Sequence, residues 1–548
     1  MLAILGMSDR SPAADGPHML AQGMRLGQWL ADGRVLDALR QWVGLSTPHP
    51  PLGYVPLALV SSLTRDVRTI LVVADALWLL LLLDGMVRLA RPAPAWMGGV
   101  AWLVATATGV VWWSADHAGF DLVAASACVQ ALAWLQASED FRDRRASAWT
   151  GLWLGLAFLS KYSAPLVLAV PVLACAVPAV RRAPRNVGLA AALWAAIFLP
   201  WALAPGSLGP YRPNGIIALE YIQSALTPPD RPGFFPESRT LAQRVSGTGQ
   251  LEMAVVVLES YGGALTLLLT AGAIAARRTL PMLGIVGGIL VLGTMNAREA
   301  RYALPMVVLL PVAALPRAVP PWQGLAALLG LAVPTWRATS EVFRTCDEAC
   351  APARRNMKVT PRWPGQGGTW PWPHPAFLPI STDVRGWQVG AMIDAVARYR
   401  VDGRIGLLLE PGPGLDTPTE PAAWQIAIEE RRLPWSMETI VLRPGAKDLQ
   451  EARFLAPFPT PDPRASEGCA AVPGAVGARP LRNASPDAAG RPVRPCETLT
   501  LLVTTDEWLS ERGADRSISR AWLAAHPHEE LARWTLPAGQ TALLVRTP

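Results

Sequence analysis

The sequence predicts a mainly α, polytopic helical membrane protein with a small soluble α/β domain at its C-terminus. Three observations carry this prediction. Of 548 residues, 51% are hydrophobic and only 17% charged, where a soluble chain carries about 25% charged residues. Between about residues 69 and 336 the apolar residues gather into runs close to the roughly 20 needed to cross a bilayer. From about 337 the composition turns to Pro, Gly and Trp, as in TWPWPHP (369–375), and strand-like and helix-like patterns then alternate.

Ten spans are expected: about 69–90, 94–113, 118–137, 147–160 (short), 162–180, 187–205, 253–276, 281–296, 302–318 and 321–336. Their orientation follows from Lys and Arg, which accumulate in short cytoplasmic loops. Alternate loops hold Arg88 and Arg91; Arg142, Arg144 and Arg145; Arg181, Arg182 and Arg185; Arg277 and Arg278; and Arg317. The opposite loop at 114–117 has no basic residue. Residues 1–68, the loop at about 206–252 and the tail then lie outside the cytoplasm. The expected domains are a membrane domain over 1–336, a Pro/Trp-rich linker over 337–385 and an α/β domain over 386–548. In the last of these, RIGLLLE (404–410), TIVL (439–442), TLTLLV (498–503) and TALLV (541–545) read as strands, and 386–400 and 419–431 as helices.

The formal charge is +7, and all but three of the 49 basic residues are Arg. They fall between apolar segments and form no aromatic-interleaved patch, which excludes nucleic acid as the expected partner. Cys128 and Cys175 lie in apolar runs and read as small hydrophobes. Cys346, Cys350, Cys469 and Cys496 lie in the tail, and an even number in a polar region is the pattern of disulfides in an oxidising compartment. Residues 1–7 are apolar but too short to span and lack the features of a signal peptide. The reading favoured here is a span missing from the start of the chain.

Ionisable groups at the edges of spans are costly and mark candidate function. Asp15, in AADGPHMLAQGMRLGQW, heads an amphipathic stretch; an N-cap is the competing explanation, and Asp9 the competing acid. In STPHPPLGYVPL (46–57) the Pro-Pro pair holds an extended backbone and presents His49 and Tyr54 at the mouth of the next apolar segment, unless the motif is a simple turn. SADHAGFDL (114–122) places Asp116, His117 and Asp121 on a short external loop. These can act as base and orienting group or chelate a divalent cation, while helix capping accounts for one acid more easily than two. Lys161, in GLAFLSKYSAPL, either snorkels to headgroups or binds phosphate as a point charge. Arg298, Arg301 and Tyr302 in NAREARYALP reach the same face, and three cations there suit an anionic, lipid-linked substrate. Trp112, Trp113 and Tyr162 are candidates to pack sugar or isoprenoid, although interfacial aromatic belts have the same composition.

These elements, in this order over about residues 10–318, resemble the lipid-linked-sugar glycosyltransferases of the GT-C superfamily. The branch is that of the bacterial aminoarabinose transferases and the protein mannosyltransferase-like proteins. The resemblance rests on ADGPHMLAQGMRLGQWLADG, HPPLGY, HAGFDL, GLAFLSKYSAPL and RYALP. It implies that Asp15 is the catalytic acid of the first external loop, that Asp121 is the acid of the next, and that Lys161 lies near the donor phosphate. By a weaker match, Arg298 and Arg301 are further phosphate-binding residues. His49, Tyr54, Asp116, His117, Tyr162 and Tyr302 would line the substrate cavity. Asp15 is followed by Gly16 where the family has Glu, and His49 stands where it often has Lys. A divalent metal is therefore an open expectation, with Asp15, Asp121 and His117 as its ligands. The family's first span precedes the acid, which again points to a missing first span.

The activity implied is transfer of a sugar from a polyprenyl-phosphate donor to a glycan, lipid or protein acceptor, with inversion, by a multi-pass protein of the inner (plasma) membrane whose C-terminal domain is extracytoplasmic. The loop at 206–252, with Tyr211, Glu220 and Tyr221, would close over the donor. No Walker A or HExxH motif occurs, as expected for a donor that carries its own phosphate in the membrane. Two other readings stand beside it: a transporter using Asp116, Asp121 and Lys161 as an ion path, and a membrane anchor for a glycan- or protein-binding tail.

Overall fold

The computed structural model describes residues 10–11, 16–45, 49–106, 108, 111, 114, 120–206, 209–219, 250–251, 254, 257, 261, 263–294, 300–315, 382–383, 389–399, 403–409, 421–431, 433, 435–441, 498–505, 523–524, 527–536 and 540–547. They form two units. One takes those within Leu26–Thr64 and Arg68–Ile380; the other takes those within Ser8–Arg25, Arg65–Val67 and Ser381–Pro548.

The first unit is helical. After α1 (Gly16–Ala31), which enters it at Leu26, come α2 (Val35–Gly44), a 3-10 turn at Pro51–Gly53 and α3 (Tyr54–Ser61). The region expected as an external loop is thus largely helix. There follow α4 (Val67–Leu89), α5 (Ala95–Thr106), α6 (Phe120–Ala137), α7 (Arg144–Phe158), α8 (Ala164–Arg182), α9 (Pro184–Leu203), an antiparallel pair of short strands β2 (Pro205–Gly206) and β3 (Gly209–Pro213), α10 (Gly263–Ala276), α11 (Thr279–Leu292) and α12 (Leu304–Ala313). Four of these, α4, α6, α8 and α9, are long and apolar enough to cross a membrane, and they fall within a few residues of the expected spans. The remaining expected spans correspond to shorter described helices, except 321–336, which lies outside the described residues.

α6 and α12 are buried along almost their whole length and form the centre of the bundle. Apolar surface gives helices in lipid little reason to associate, so small residues and polar side chains set their packing. α7 meets α9 through Gly151, where any Cβ would run into the Ala190 backbone, and through Gly155, where it would lie 2.7 Å from Ile197 Cβ. α8 meets α11 at Gly287, whose Cβ would lie 2.6 Å from Val170 Cβ. α4 and α6 run parallel in a register pinned by hydrogen bonds. Ser126 Oγ donates to the Trp78 carbonyl at 2.9 Å, Gln130 Nε2 to Leu81 O at 2.8 Å and to Asp84 Oδ2 at 2.9 Å, and Gln136 Nε2 to Leu89 O at 3.3 Å.

The loop ends are tied in the same way. Asp143 caps α7 by accepting from the Ala146 N–H at 2.5 Å, and Asn186 Nδ2 donates to the Phe141 and Arg142 carbonyls at 2.8 and 2.9 Å. Arg278, which the sequence offers only as a topology signal, is buried. Its Nε donates to Leu315 O at 2.8 Å and its Nη1 to Arg91 O at 3.1 Å. It thereby satisfies carbonyls that helix ends leave open.

The second unit holds a five-stranded sheet, β5 (Gly403–Leu409), β6 (Trp435–Val441), β7 (Thr498–Thr505), β8 (Glu529–Leu536) and β9 (Gln540–Thr547), in the order β6-β5-β7-β9-β8. β5 is parallel to β6 and β7, whereas β9 is antiparallel to β7 and β8. α13 (Val389–Tyr399) and α14 (Pro421–Glu430) supply Met392, Ile393, Val396, Trp424 and Ile428 to a core shared with Ala542 and Leu544 of β9. β8 does not stand out in the sequence because Glu529, Glu530 and Arg533 interrupt it. It is an edge strand, where charge discourages further pairing. Arg431 Nε donates to Asp394 at 2.6 Å, and this bond holds the Asp394 carboxyl below the usual carboxylate range. The unit also includes the described residues within Ser8–Arg25: β1 (Arg10–Ser11) pairs antiparallel with β4 (Thr382–Asp383).

The glycine contacts give a direct expectation. Gly151→Val should lower the thermal midpoint of the detergent-solubilised protein, with an overpacking cost of about 1–3 kcal/mol. Gly188→Ala, where an added Cβ meets nothing within 4 Å, should stay within about 0.5 kcal/mol of the parent. Equal midpoints for the two variants would mean that α7 and α9 do not approach through Gly151.

Candidate functional site

The site is assembled from four chain segments that the bundle brings together. In the first, the two prolines of HPPLG start the 3-10 turn Pro51–Gly53. That turn is fixed from both sides: the Leu52 N–H donates to Leu159 O at 2.9 Å and Trp42 Nε1 donates to Pro51 O at 2.8 Å. The HPPLG and GLAFLSKY motifs, about 110 residues apart in sequence, are therefore hydrogen-bonded to each other. Gly53 is required by close approach, because any Cβ there would enter the Phe120 ring. His49 and Tyr54 pack on that same ring, with centroids at 5.3 and 4.8 Å, and both are buried.

Asp121 follows Phe120 in the first turn of α6, where the helix dipole favours a negative charge. Lys161 occupies the break between α7 and α8, a position that needs no helical conformation. Its Nζ lies 2.5 Å from Asp121 Oδ1, and the two side chains are only 3% and 5% exposed. The Tyr302 ring lies against the same ammonium, 4.7 Å from Nζ to centroid, and is carried on the 3-10 turn Ala300–Ala303 ahead of α12. Tyr162, next to Lys161, is buried as well. The result is one ion pair with an aromatic face, enclosed by α6, the α7–α8 break and the start of α12. All of these are helix ends remote from the Arg-bearing loops. The Lys161 ammonium, with Asp121 and the Tyr302 ring against it, is a compact point charge of the kind that binds anions.

The structure thus brings together Asp121, Lys161 and Tyr302, with His49 and Tyr54 one residue away through Phe120. Asp15, Asp116, His117, Trp112, Trp113 and Arg298 lie outside the described residues, as do Glu220, Tyr221, Cys346, Cys350, Cys469 and Cys496. Of Arg301 and Tyr211 only the backbone is described. Among the described residues no three His, Cys, Asp or Glu side chains converge on a metal site, and Asp121, one of the three residues named for a metal, is engaged by Lys161. The sequence reading passes over Phe120, the ring that joins two motifs, and Asp75, a buried acid within α4. An isolated acid inside an apolar run was the available signal for Asp75; for Phe120 there was none.

No family model matches the chain, and no curated protein does. Solved structures do. The chain has the fold of ArnT. The crystal structure of ArnT from Cupriavidus metallidurans in the apo state superposes with a TM-score of 0.56 at 12% identity, covering 99% of this chain and 95% of that one. The structure of ArnT from the same organism bound to undecaprenyl phosphate gives 0.57 at 13% identity, covering 99% and 96%. The polytopic helical architecture with a C-terminal α/β unit is therefore that of ArnT over nearly the whole length of both chains.

Two measurements test the site's construction. Lys161→Met leaves the Asp121 carboxylate buried without its cation, which costs about 3–5 kcal/mol. The Asp121→Asn/Lys161→Met double variant should melt above the Lys161→Met single variant, and a double variant that melts lower would show that the two groups do not stabilise each other. Gly53→Ala should displace Phe120 and with it His49 and Tyr54. Its midpoint is expected to fall further than that of Gly99→Ala, where nothing lies within 4 Å.

Proposed function

We propose that the chain is an integral-membrane glycosyltransferase moving a sugar from a polyprenyl-phosphate donor to an acceptor on the extracytoplasmic face. The observation that carries the reading is the Lys161–Asp121 pair under Tyr302. It is a buried cation site at the helix ends away from the Arg-rich loops, in the fold of a protein crystallised with undecaprenyl phosphate. On this reading the Arg-rich loops face the cytoplasm, and the C-terminal α/β unit, with any disulfides among Cys346, Cys350, Cys469 and Cys496, faces the other side.

Asp15 acts as general base on the acceptor hydroxyl. The acceptor oxygen attacks the anomeric carbon in line as the bond from that carbon to the phosphate oxygen breaks, so the anomeric centre inverts. The electron pair leaves on the polyprenyl phosphate, which stays in the membrane. Lys161, aided by Arg298 and Arg301, stabilises the charge that develops on this leaving group. An ammonium carries three N–H donors, so contact with a phosphate oxygen is compatible with the bond to Asp121. Asp121 then serves as a positioning residue that holds Lys161 in place. His49, Tyr54, Tyr162 and Tyr302 shape the wall around the pair, and Asp116 and His117 are further candidates to contact the substrate.

The reaction is tested by reconstituting the protein in nanodiscs with a panel of undecaprenyl-phosphate hexoses and pentoses and measuring release of undecaprenyl phosphate. Release is expected for at least one donor. Asp15→Asn should abolish it, and Lys161→Ala should reduce it by about 10²-fold or more, the loss typical of removing one transition-state donor. Turnover unchanged in Asp15→Asn would remove that residue from the chemistry. Uptake of a solute into proteoliposomes that depends on Asp121, without any release, would replace the transferase by a transporter.

A further inference from the structure

The arginines of the α6–α7 and α8–α9 turns have no part in the scheme above. Arg142, Arg144, Arg145, Arg181, Arg182 and Arg185 are all exposed, and among the described residues none of them enters an ion pair. Other arginines at this end of the bundle are used internally: Arg88 Nε lies 2.7 Å from Asp84 Oδ2, and Arg278 donates to carbonyls. The two turns also form one surface. Asn186, next to Arg185, donates to the Phe141 and Arg142 carbonyls at 2.8 and 2.9 Å. α7 and α9 run in the same direction, since Gly151 meets Ala190 and Gly155 meets Trp194 and Ile197, and the same offset sets Arg145 level with the start of α9. Six guanidinium groups thus share a patch with three acids, Glu139, Asp140 and Asp143, the last of which is engaged in capping α7.

Next to this patch the surface is apolar and open. The last turns of α8 before Arg181 expose Leu173, Val177 and Val180 by 59, 66 and 53%, a strip that reaches about 12 Å along the helix at 1.5 Å per residue. On α7, about a turn and a half beyond Arg144, Trp149 stacks on Trp134 with centroids 5.5 Å apart, and the Arg88 guanidinium lies 4.6 Å from the Trp134 centroid. Indoles collect where headgroups meet hydrocarbon. Cations, then indoles, then uncovered aliphatic side chains follow the profile of a phospholipid from phosphate to acyl chain. A topology signal needs only that basic residues be present in these turns; it does not need them unpaired, joined on one surface and bordered by an open apolar strip. An acidic soluble partner would have no use for that strip. We propose that the patch is a binding site for the headgroup of an anionic phospholipid. Arg181, Arg182 and Arg185 hold a phosphate through forked N–H donors, Arg144 and Arg145 are placed for a second one, and an acyl chain lies along Leu173, Val177 and Val180. Basic clusters at the ends of membrane helices recognise lipid in this way. The inference rests on the membrane architecture and is independent of the reaction proposed above.

The test is native mass spectrometry of the full chain in detergent, titrated with cardiolipin, phosphatidylglycerol and phosphatidylcholine. Both anionic lipids should bind at least about tenfold more tightly than phosphatidylcholine, a difference of about 1.4 kcal/mol, with cardiolipin, which carries two phosphates, the tighter of the two. Arg181→Gln/Arg182→Gln/Arg185→Gln should remove that preference, whereas Arg34→Gln/Arg40→Gln, on α2 and just before it, should leave it intact. Because loss of three charges can disturb insertion, the decisive variant is Arg181→Lys/Arg182→Lys/Arg185→Lys. It satisfies the topology rule equally but lacks the planar fork that grips phosphate, and its affinity for the anionic lipids should fall at least about threefold. Glycerol phosphate, a headgroup without chains, should compete at least about tenfold more weakly than phosphatidylglycerol. No preference for anionic lipid, a preference that survives the Gln variant, or a Lys variant that binds as the parent does would overturn the proposal. Competition by glycerol phosphate as strong as by the lipid would overturn it too, by showing an anion site in which the apolar strip plays no part.

Discussion

A carboxylate and an ammonium buried together inside a bundle of apolar helices restrict everything around them. Each charge taken from water into such an interior costs several kcal/mol even after relaxation, so neither Asp121 nor Lys161 is tolerable at that depth without the other. The pair can form only if the first turn of α6 and the break between α7 and α8 are brought to the same level. The break itself is required, since Lys161 approaches Asp121 from a position that is not helical. The HPPLG turn then fixes that break by binding the Leu159 carbonyl two residues ahead of Lys161, and Phe120 places His49 and Tyr54 beside Asp121. One electrostatic requirement thus accounts for the meeting of four sequence segments between His49 and Tyr302.

The rest of the bundle meets a complementary requirement. Hydrocarbon does not drive one apolar helix onto another, so order comes from close backbone approach at glycine and from polar groups that have no better partner than a neighbouring carbonyl. Gly151, Gly155 and Gly287 serve the first role; Ser126, Gln130, Gln136 and Arg278 serve the second. These side chains are few, and most contact backbone atoms, whose positions do not depend on which residue supplies them. They set the helix register without requiring any particular apolar residue elsewhere.

Much of the architecture was legible in the sequence for this reason. Hydropathy located α4, α6, α8 and α9 to within a few residues, because length and apolarity suffice to define a span. Lys161 and Asp121 were legible as candidates because ionisable residues are rare in such segments, and a lysine is rare anywhere in this chain. Their direct pairing was not, because nothing local records which helix end faces which. Phe120 was invisible for a similar reason: an aromatic residue at the head of an apolar helix is unremarkable until His49 and Tyr54 are seen against it. The burial of Arg278 was not legible, because a basic residue in a short loop satisfies a topology rule whether it points to water or donates to carbonyls. The β1–β4 pairing joins two-residue strands far apart in the chain, far too short for any alternation to register.

The same physics explains how a fold can persist over 99% of a chain at 12% identity. Lipid-facing positions accept any apolar residue, and the backbone carbonyls that receive the polar ties are present whatever the side chain. Sequence can therefore drift until only the glycine contacts, the polar ties and the buried charges remain constrained. Of these, the first two set helix packing and would be needed in any bundle of this shape, whatever it does. Only the third goes beyond what packing requires, since a buried ammonium carries a cost that an apolar residue of similar volume would avoid. A functional reading of this chain has to stand on Lys161, Asp121 and the residues that hold them, because the packing of the other helices carries no information about what the chain does.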